Sequence, residues 1–159
     1  LVRHAKAGSR AQWDGADVER PLSSTGREQA QHLGALLPLF GPDRLVSAPP
    51  QRCRATIEPL ASTLGLPVGD EPLLSEDAYR DDPAAGLDRL LELAALPGVT
   101  VVSSQGGVIP GMIGALVKAS SHPPAVDPTA VPSRKASTWV LGFAGSELLS
   151  ADYYSHPTG

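Results

Sequence analysis

The sequence predicts a three-layer α/β/α domain, with a mainly parallel central sheet and helices on both faces. Three observations predict it. Short apolar runs alternate along the chain with stretches of helical periodicity, the pattern left by successive strand–helix units. Val99-Thr100-Val101-Val102 is a continuous run of the kind found in strands covered on both faces. A length of 159 residues, 42% of them hydrophobic and 19% charged, provides one sizeable core and makes two domains unexpected.

Taken in order, Leu1-Val2 reads as the end of a buried strand that delivers Arg3 and His4 to its carboxyl end. Thr25 and Glu28 have capping-box spacing, and Ala30, Leu33, Leu37 and Phe40 follow at helical intervals, so a first helix runs to about Leu37. Leu45-Val46-Ser47 is a second strand. Ala48-Pro49-Pro50 then turns the chain into a helical stretch with Cys53, Ile57, Leu60, Ala61 and Leu64 on its apolar face. Pro59 argues against a fully regular helix there, because it removes one backbone donor and crowds the preceding turn. Leu87, Leu90, Leu91 and Ala94 mark another helix, ended by Pro97-Gly98. After Val102 a glycine-rich turn leads to Pro110, near the start of a helix that turns Met112, Ile113, Leu116 and Val117 inward. Ser121 to Ser133 is proline-rich and reads as loop. Thr138 to Leu141 and Leu148-Leu149, separated by Gly145-Ser146, read as a closing hairpin. No internal repeat is found.

Composition narrows the partners. A formal charge of -4 gives no support to a nucleic-acid-binding or membrane-surface role. A single cysteine, Cys53, excludes an internal disulfide framework and a cysteine-based zinc cluster, and fits a reducing compartment. With no membrane-length apolar run and no signal peptide before Leu1, the expectation is a cytoplasmic protein. The chain begins without methionine inside an apparent strand, which suggests a piece of something longer.

In open parallel sheets the ligand site lies at the carboxyl ends of the strands. That rule gathers three stretches at one crevice: Arg3-His4, Ser47 to Arg54, and Ser103 to Gly107. They bring an imidazole, guanidiniums, an amide, hydroxyls and glycine backbone, a set suited to phosphate or another compact oxyanion. A planar guanidinium can hold two phosphate oxygens at once. Gly106 and Gly107 permit close backbone approach ahead of a helix N-terminus, where amides and dipole favour an anion.

These stretches resemble the histidine phosphatase superfamily, in its short phosphohistidine-phosphatase-like branch. "LVRHAKAG" resembles the Arg-His-Gly signature, with Ala5 in the glycine's place. "DVERPLSSTGREQA" resembles that branch's Arg-Pro-Leu-Ser/Thr-x-x-Gly segment, and "SAPPQRCRAT" is similar to its Ser-x-Pro-x-x-Arg-Ala/Cys-x-Gln-Thr segment. The resemblance implies that His4 is a nucleophile that becomes phosphorylated and that Arg3 and Arg52 clamp the phosphate. It also implies a second histidine after the later strand, in an apolar-Ser-His-Gly context, but "VVSSQGGVI" places Gln105 there. An amide can donate to a phosphate oxygen but supplies neither positive charge nor a proton. Preorganised donors around transferring oxygens account for roughly a hundred- to a thousandfold in rate, so impaired phosphoryl transfer is expected. Ala55 replaces the second motif's glutamine. For the general acid, "LLSEDAYRDDP" offers Glu76, Asp77, Asp81 and Asp82 without a spacing that selects one; Glu76 is carried forward as the candidate.

A narrower resemblance joins Gln105 to Pro110 with "RKASTWVL" at Arg134 to Leu141. Together they look like the C-terminal histidine-phosphatase-like domain of bacterial two-domain MutT-type Nudix hydrolases, enzymes that cleave oxidised guanosine triphosphates such as 8-oxo-(d)GTP. That resemblance implies that residues 1–159 form one domain behind a Nudix domain, with phosphate or a nucleoside polyphosphate as ligand. It implies no cofactor or metal for this domain, Mg2+ being expected only for the fused Nudix domain. No Nudix box occurs in these residues.

Other residues receive plainer readings. Arg54, two positions from Arg52, points elsewhere on a helix and reads as solvated. Arg20 is open between bridging a loop carboxylate and touching ligand. Arg134 and Lys135 read as an ordinary exposed edge ahead of a strand, with a domain-interface or polyphosphate role as the less favoured reading. Cys53 should be inert; His32, His122 and His156 lack metal-ligand spacing. Trp13, Tyr79 and Trp139 read as core or loop anchors. Two functions stand side by side: a phosphate-binding domain that assists a Nudix partner, and a phosphatase working through phospho-His4.

Overall fold

Leu45 and Val46 are neighbours in sequence but belong to different cores, and so are Val101 and Val102. Leu45 and Val101 pack with Val2, Leu33, Ile57 and Leu60, while Val46 and Val102 pack with Leu90, Ile113, Leu116 and Trp139. Successive side chains of a strand point to opposite faces, so a sheet lies between two helical layers. The computed structural model, which describes residues 1–155, shows this arrangement.

The strands are β1 (Val2–Arg3), β2 (Arg44–Ser47), β3 (Val68–Asp70), β4 (Thr100–Ser104), β5 (Thr138–Ala144) and β6 (Glu147–Tyr154), in the order β3-β2-β4-β1-β5-β6. The first four are mutually parallel, with Leu45 opposite Val101 and Val2 opposite Ser103. β5 runs antiparallel to β1, and β6 pairs with β5 in a hairpin. Helices α1 (Ser24–Leu36) and α2 (Gln51–Leu64) cover one face; α4 (Pro83–Ala95) and α5 (Ile109–Ala119) cover the other. The short α3 (Glu76–Asp81) sits beside α4. The predicted layers and the mainly parallel sheet are therefore present. Among the described residues no helix is long and apolar enough to cross a membrane.

Several local expectations change. The cap of α1 is Ser23, whose side chain accepts from Gly26 N at 3.0 Å, in place of the expected Thr25–Glu28 box. Helix α2 runs unbroken through Pro59. Its ring lies over Gly34 of α1, where a Cβ would come within 2.9 Å of Pro59 Cβ, so close helix packing accompanies the lost backbone bond. β3 and α3 were not expected. β3 is three residues with Gly69 at its centre, too short to show a period. α3 depends on local chemistry: Ser75 accepts from Ala78 N, and Glu76 and Asp77 lie at the positive end of the helix dipole. The closing hairpin is longer than expected, turning at Gly145 with φ 61° and bulging between Gly142 and Phe143.

Ile57 is fully buried in its core whereas Leu39 is 80% exposed. Ile57→Ala should lower stability by about 2–5 kcal/mol in equilibrium urea unfolding, and Leu39→Ala should stay within about 0.5 kcal/mol of the parent.

Candidate functional site

The parallel register sets the carboxyl ends of β1 and β4 side by side, with His4 N donating to Ser104 O at 2.9 Å. Side-chain hydroxyls fasten this corner: Ser103 Oγ donates to Cys53 O at 2.8 Å, and Ser104 Oγ donates to Leu74 O at 2.6 Å. Arg3 and His4 leave β1, Gln105 follows β4, and the first turn of α2 brings Arg52. The Arg3 guanidinium lies directly over Gly106, where any Cβ would come within 2.5 Å of Arg3 Cζ, and Arg3 Nη1 donates to Ser133 O. A side chain at position 106 would therefore displace the Arg3 guanidinium from this position.

His4 is 4% exposed. Its Nδ1–H donates to Ala5 O at 2.8 Å, which fixes the tautomer and leaves the lone pair on Nε2. Lys135 Nζ donates to that lone pair at 3.2 Å. Burial, with the charges of Lys135, Arg52 and Arg3 added to it, pushes the imidazole down to about 3, so it is neutral at physiological pH.

Arg52 is 5% exposed and already has an internal partner. Its Nη1 donates to Asp17 O at 2.7 Å and its Nη2 to Asp17 Oδ2 at 3.0 Å. Asp17 Oδ1 accepts from Arg20 Nε at 2.9 Å and from Arg10 Nε at 3.2 Å. Burial alone would raise this carboxyl; the hydrogen bonds from Arg20 and Arg10 and the charge of Arg52 outweigh it and hold it at about 2. Arg20 therefore bridges a loop carboxylate, one of the two readings left open for it. Arg3 Nε and Arg52 Nε are buried and have no hydrogen-bond partner among the described residues. Orphaned guanidinium donors are costly unless an anion meets them.

Gln105 is buried and faces Glu76. Its Oε1 accepts from Glu76 N at 3.0 Å, its Nε2 donates to Glu76 Oε2 at 3.1 Å, and Glu76 Oε1 accepts from Gly107 N at 2.8 Å. The amide keeps a second N–H for another acceptor. Glu76 is thereby singled out from its acidic neighbours. Asp77 pairs with Arg80 at the surface, Asp82 caps α4 by accepting from Ala85 N, and Asp81 is exposed.

Lys135 corrects the expectation of an exposed edge. Ser137 N donates to Arg134 O at 3.0 Å, closing a turn that carries Lys135 inward, half-buried, to His4. Ala136 in this turn has φ 60°, the only non-glycine residue with positive φ among the described residues. Such a conformation costs about 1–3 kcal/mol and persists only where the surroundings impose it. No sequence period signals such a turn; a left-handed alanine looks like any other alanine. Arg134 remains exposed. Arg54 bonds Val68 O and Asp70 away from the cluster. Burial raises the Cys53 thiol to about 12, which makes it inert. His32 and His122 are exposed, and His156 lies outside the described residues. Trp13 Nε1 anchors its loop on Ala16 O, Trp139 Nε1 donates to Pro132 O, and Tyr79 packs on the α4–α5 core.

Comparison with known proteins places the chain in a family and supports its fold. A family model described as histidine phosphatase superfamily (branch 1) matches residues 1–83. An 8-oxo-(d)GTP phosphatase of Mycolicibacterium smegmatis is 45% identical over 157 residues, covering 99% of this chain and 48% of that protein. The chain thus spans about half the length of this curated relative. The protein histidine phosphatase SixA complexed with tungstate superposes with TM-score 0.72 at 16% identity, covering 96% of this chain and 90% of that one. Mycobacterial glucosyl-3-phosphoglycerate phosphatase gives TM-score 0.73 at 19% identity, over 98% and 96% of the two chains. At those identities the two structures establish the fold alone.

Two measurements follow from the charges. In 15N-resolved NMR, His4 should hold the Nδ1–H tautomer and take up no proton between pH 8 and about 4. An unfolded imidazole protonates near 6.5 and the folded one at about 3. The unfolded state binds more protons between these values, so stability should fall as pH drops through that window, and less so in His4→Ala. Asp17 is depressed from 3.8 to about 2. Its contribution is complete above 3.8 and lost as pH falls through about 2, so Asp17→Asn should flatten the acid limb of a pH–stability curve.

Proposed function

The chain belongs to the histidine phosphatase superfamily, and from that premise we propose that it is a phosphate-binding domain whose own phosphatase activity is weak or absent. In this reading it is part of a MutT-type Nudix hydrolase acting on 8-oxo-(d)GTP or related nucleoside polyphosphates. Arg3, Arg52, Gln105 and Gly106 form the phosphate site, and His4 faces the bound group. The Nudix domain precedes it in the same chain or sits in a neighbouring one, and any Mg2+ belongs to that domain's chemistry. The name of the 45%-identical relative, and that relative's roughly doubled length, support the reading.

The observation that carries it is the pairing of Gln105 with Glu76. Where transfer would profit from a second imidazole, the chain has an amide whose oxygen accepts from the Glu76 backbone N–H and one of whose N–H groups donates to the Glu76 carboxylate. No proton or positive charge comes from that position.

His4 favours a second reading. A neutral imidazole with its Nε2 lone pair directed at the cation cluster is what a nucleophile requires. In that case Nε2 attacks phosphorus, the N–P bond forms as the P–O bond to the leaving group breaks, and the leaving oxygen takes a proton, with Glu76 as the acid candidate. Water then attacks phospho-His4 and releases phosphate.

Phosphate release from nucleoside di- and triphosphates and from a phosphohistidine protein separates the readings. The binding reading expects negligible turnover in the parent, no further loss in His4→Ala, and a gain on the order of a hundredfold in Gln105→His. Robust parental turnover abolished by His4→Ala would establish the phosphatase instead.

A further inference from the structure

The turn ahead of β5 brings a third cation to the site. Lys135 reaches His4 Nε2 at 3.2 Å, and its charge is felt by His4 together with those of Arg3 and Arg52. No carboxylate pairs with Lys135 among the described residues, although Asp17 and Glu76 occupy other donors of the same cluster. The turn holding Lys135 is pinned on both sides: before it, Arg134 N donates to the Tyr153 hydroxyl at 3.1 Å, and after it Ala136 is fixed. Ala136 is fully buried in the left-handed conformation, and its N–H donates to His4 O at 3.3 Å. A half-buried ammonium beside two guanidiniums is unfavourable by itself, and a strained turn that forces it there marks a site where an anion is to be met.

We propose that Lys135 is a direct ligand of the phosphate group taken by this site, its ammonium passing from His4 Nε2 to a phosphoryl oxygen and supplying the positive charge that Gln105 lacks. The inference rests on the phosphate-binding reading above. Moving the ammonium onto a phosphoryl oxygen frees the His4 lone pair as the anion binds. The groups facing the ammonium are His4 and Arg3 of the β1 exit, Arg52 of α2, Glu76 of α3 and Arg20 of the loop before α1. Burial, then Arg3 and Arg52, pull Lys135 down to about 8 against the opposing charge of Glu76. Its contribution should therefore fade as pH rises through that value.

Calorimetric titration of the full chain with inorganic phosphate at pH 7, alongside Lys135→Met and Lys135→Arg, tests the proposal. The expected result is parental binding, a loss of about 10- to 100-fold in Lys135→Met, and retention within about threefold in Lys135→Arg. Thermal melts confirm that both variants fold. With sulfate, an anion that does not titrate in this range, parental affinity should drop between pH 7 and 9 while that of Lys135→Arg should not. Unchanged or tighter phosphate binding in folded Lys135→Met would overturn the role of Lys135 and leave the phosphate-binding reading standing. Absence of binding in the parent itself would remove that reading, and the inference with it.

Discussion

Positive charge gathered at the buried end of a sheet must be compensated, and much of the local structure follows from that. β1 and α2 place Arg3 half-buried and Arg52 buried. A guanidinium cannot give up its proton to escape burial. The chain answers with carboxylates from two segments outside the sheet. Asp17 fastens the loop before α1 to Arg52, and Glu76 fastens α3 to the turn after β4.

The same charge sets the chemistry. His4 is held neutral first by its burial and then by the cations around it, with the hydrogen bond to Ala5 O choosing which nitrogen keeps the lone pair. Around it are donors in excess of acceptors: two orphaned guanidinium N–H groups, one amide N–H and one ammonium. An oxyanion can accept from such donors, and a cation or neutral apolar ligand cannot. Selection for a compact anion thus follows from hydrogen-bond inventory as much as from net charge.

The layers and the strand-end cluster were legible in the sequence because they depend on runs of side chains with a period. Val101-Val102 and the helical spacing of Leu33, Ile57 and Leu90 specify burial regardless of their neighbours. Arg3, His4 and Gln105 were legible because they follow closely on such a run, and Arg52 because its segment resembles a family motif. Asp17, Lys135 and the choice of Glu76 were not. Asp17 sits on a single helical turn, Asp17–Glu19, with no apolar pattern. Lys135 is oriented by a left-handed alanine, and Glu76 is selected by an amide 29 residues away. Pro59 belongs with them: it packs against Gly34 of another helix, a contact that its own segment does not reveal.

The clasp made by Asp17 also bears on how the site responds to its medium. An anion arriving at Arg52 competes with an internal carboxylate, where an ordinary surface arginine would offer only water. Two of the clasp's three arginines are unequally protected, Arg10 being 77% exposed and Arg20 15%. Added salt screens exposed pairs much more than buried ones, so it loosens the Arg10 tie that helps hold Asp17 in place while also screening the attraction felt by the incoming anion. These effects oppose one another. Ionic strength should consequently move anion affinity less than a count of converging positive charges would imply.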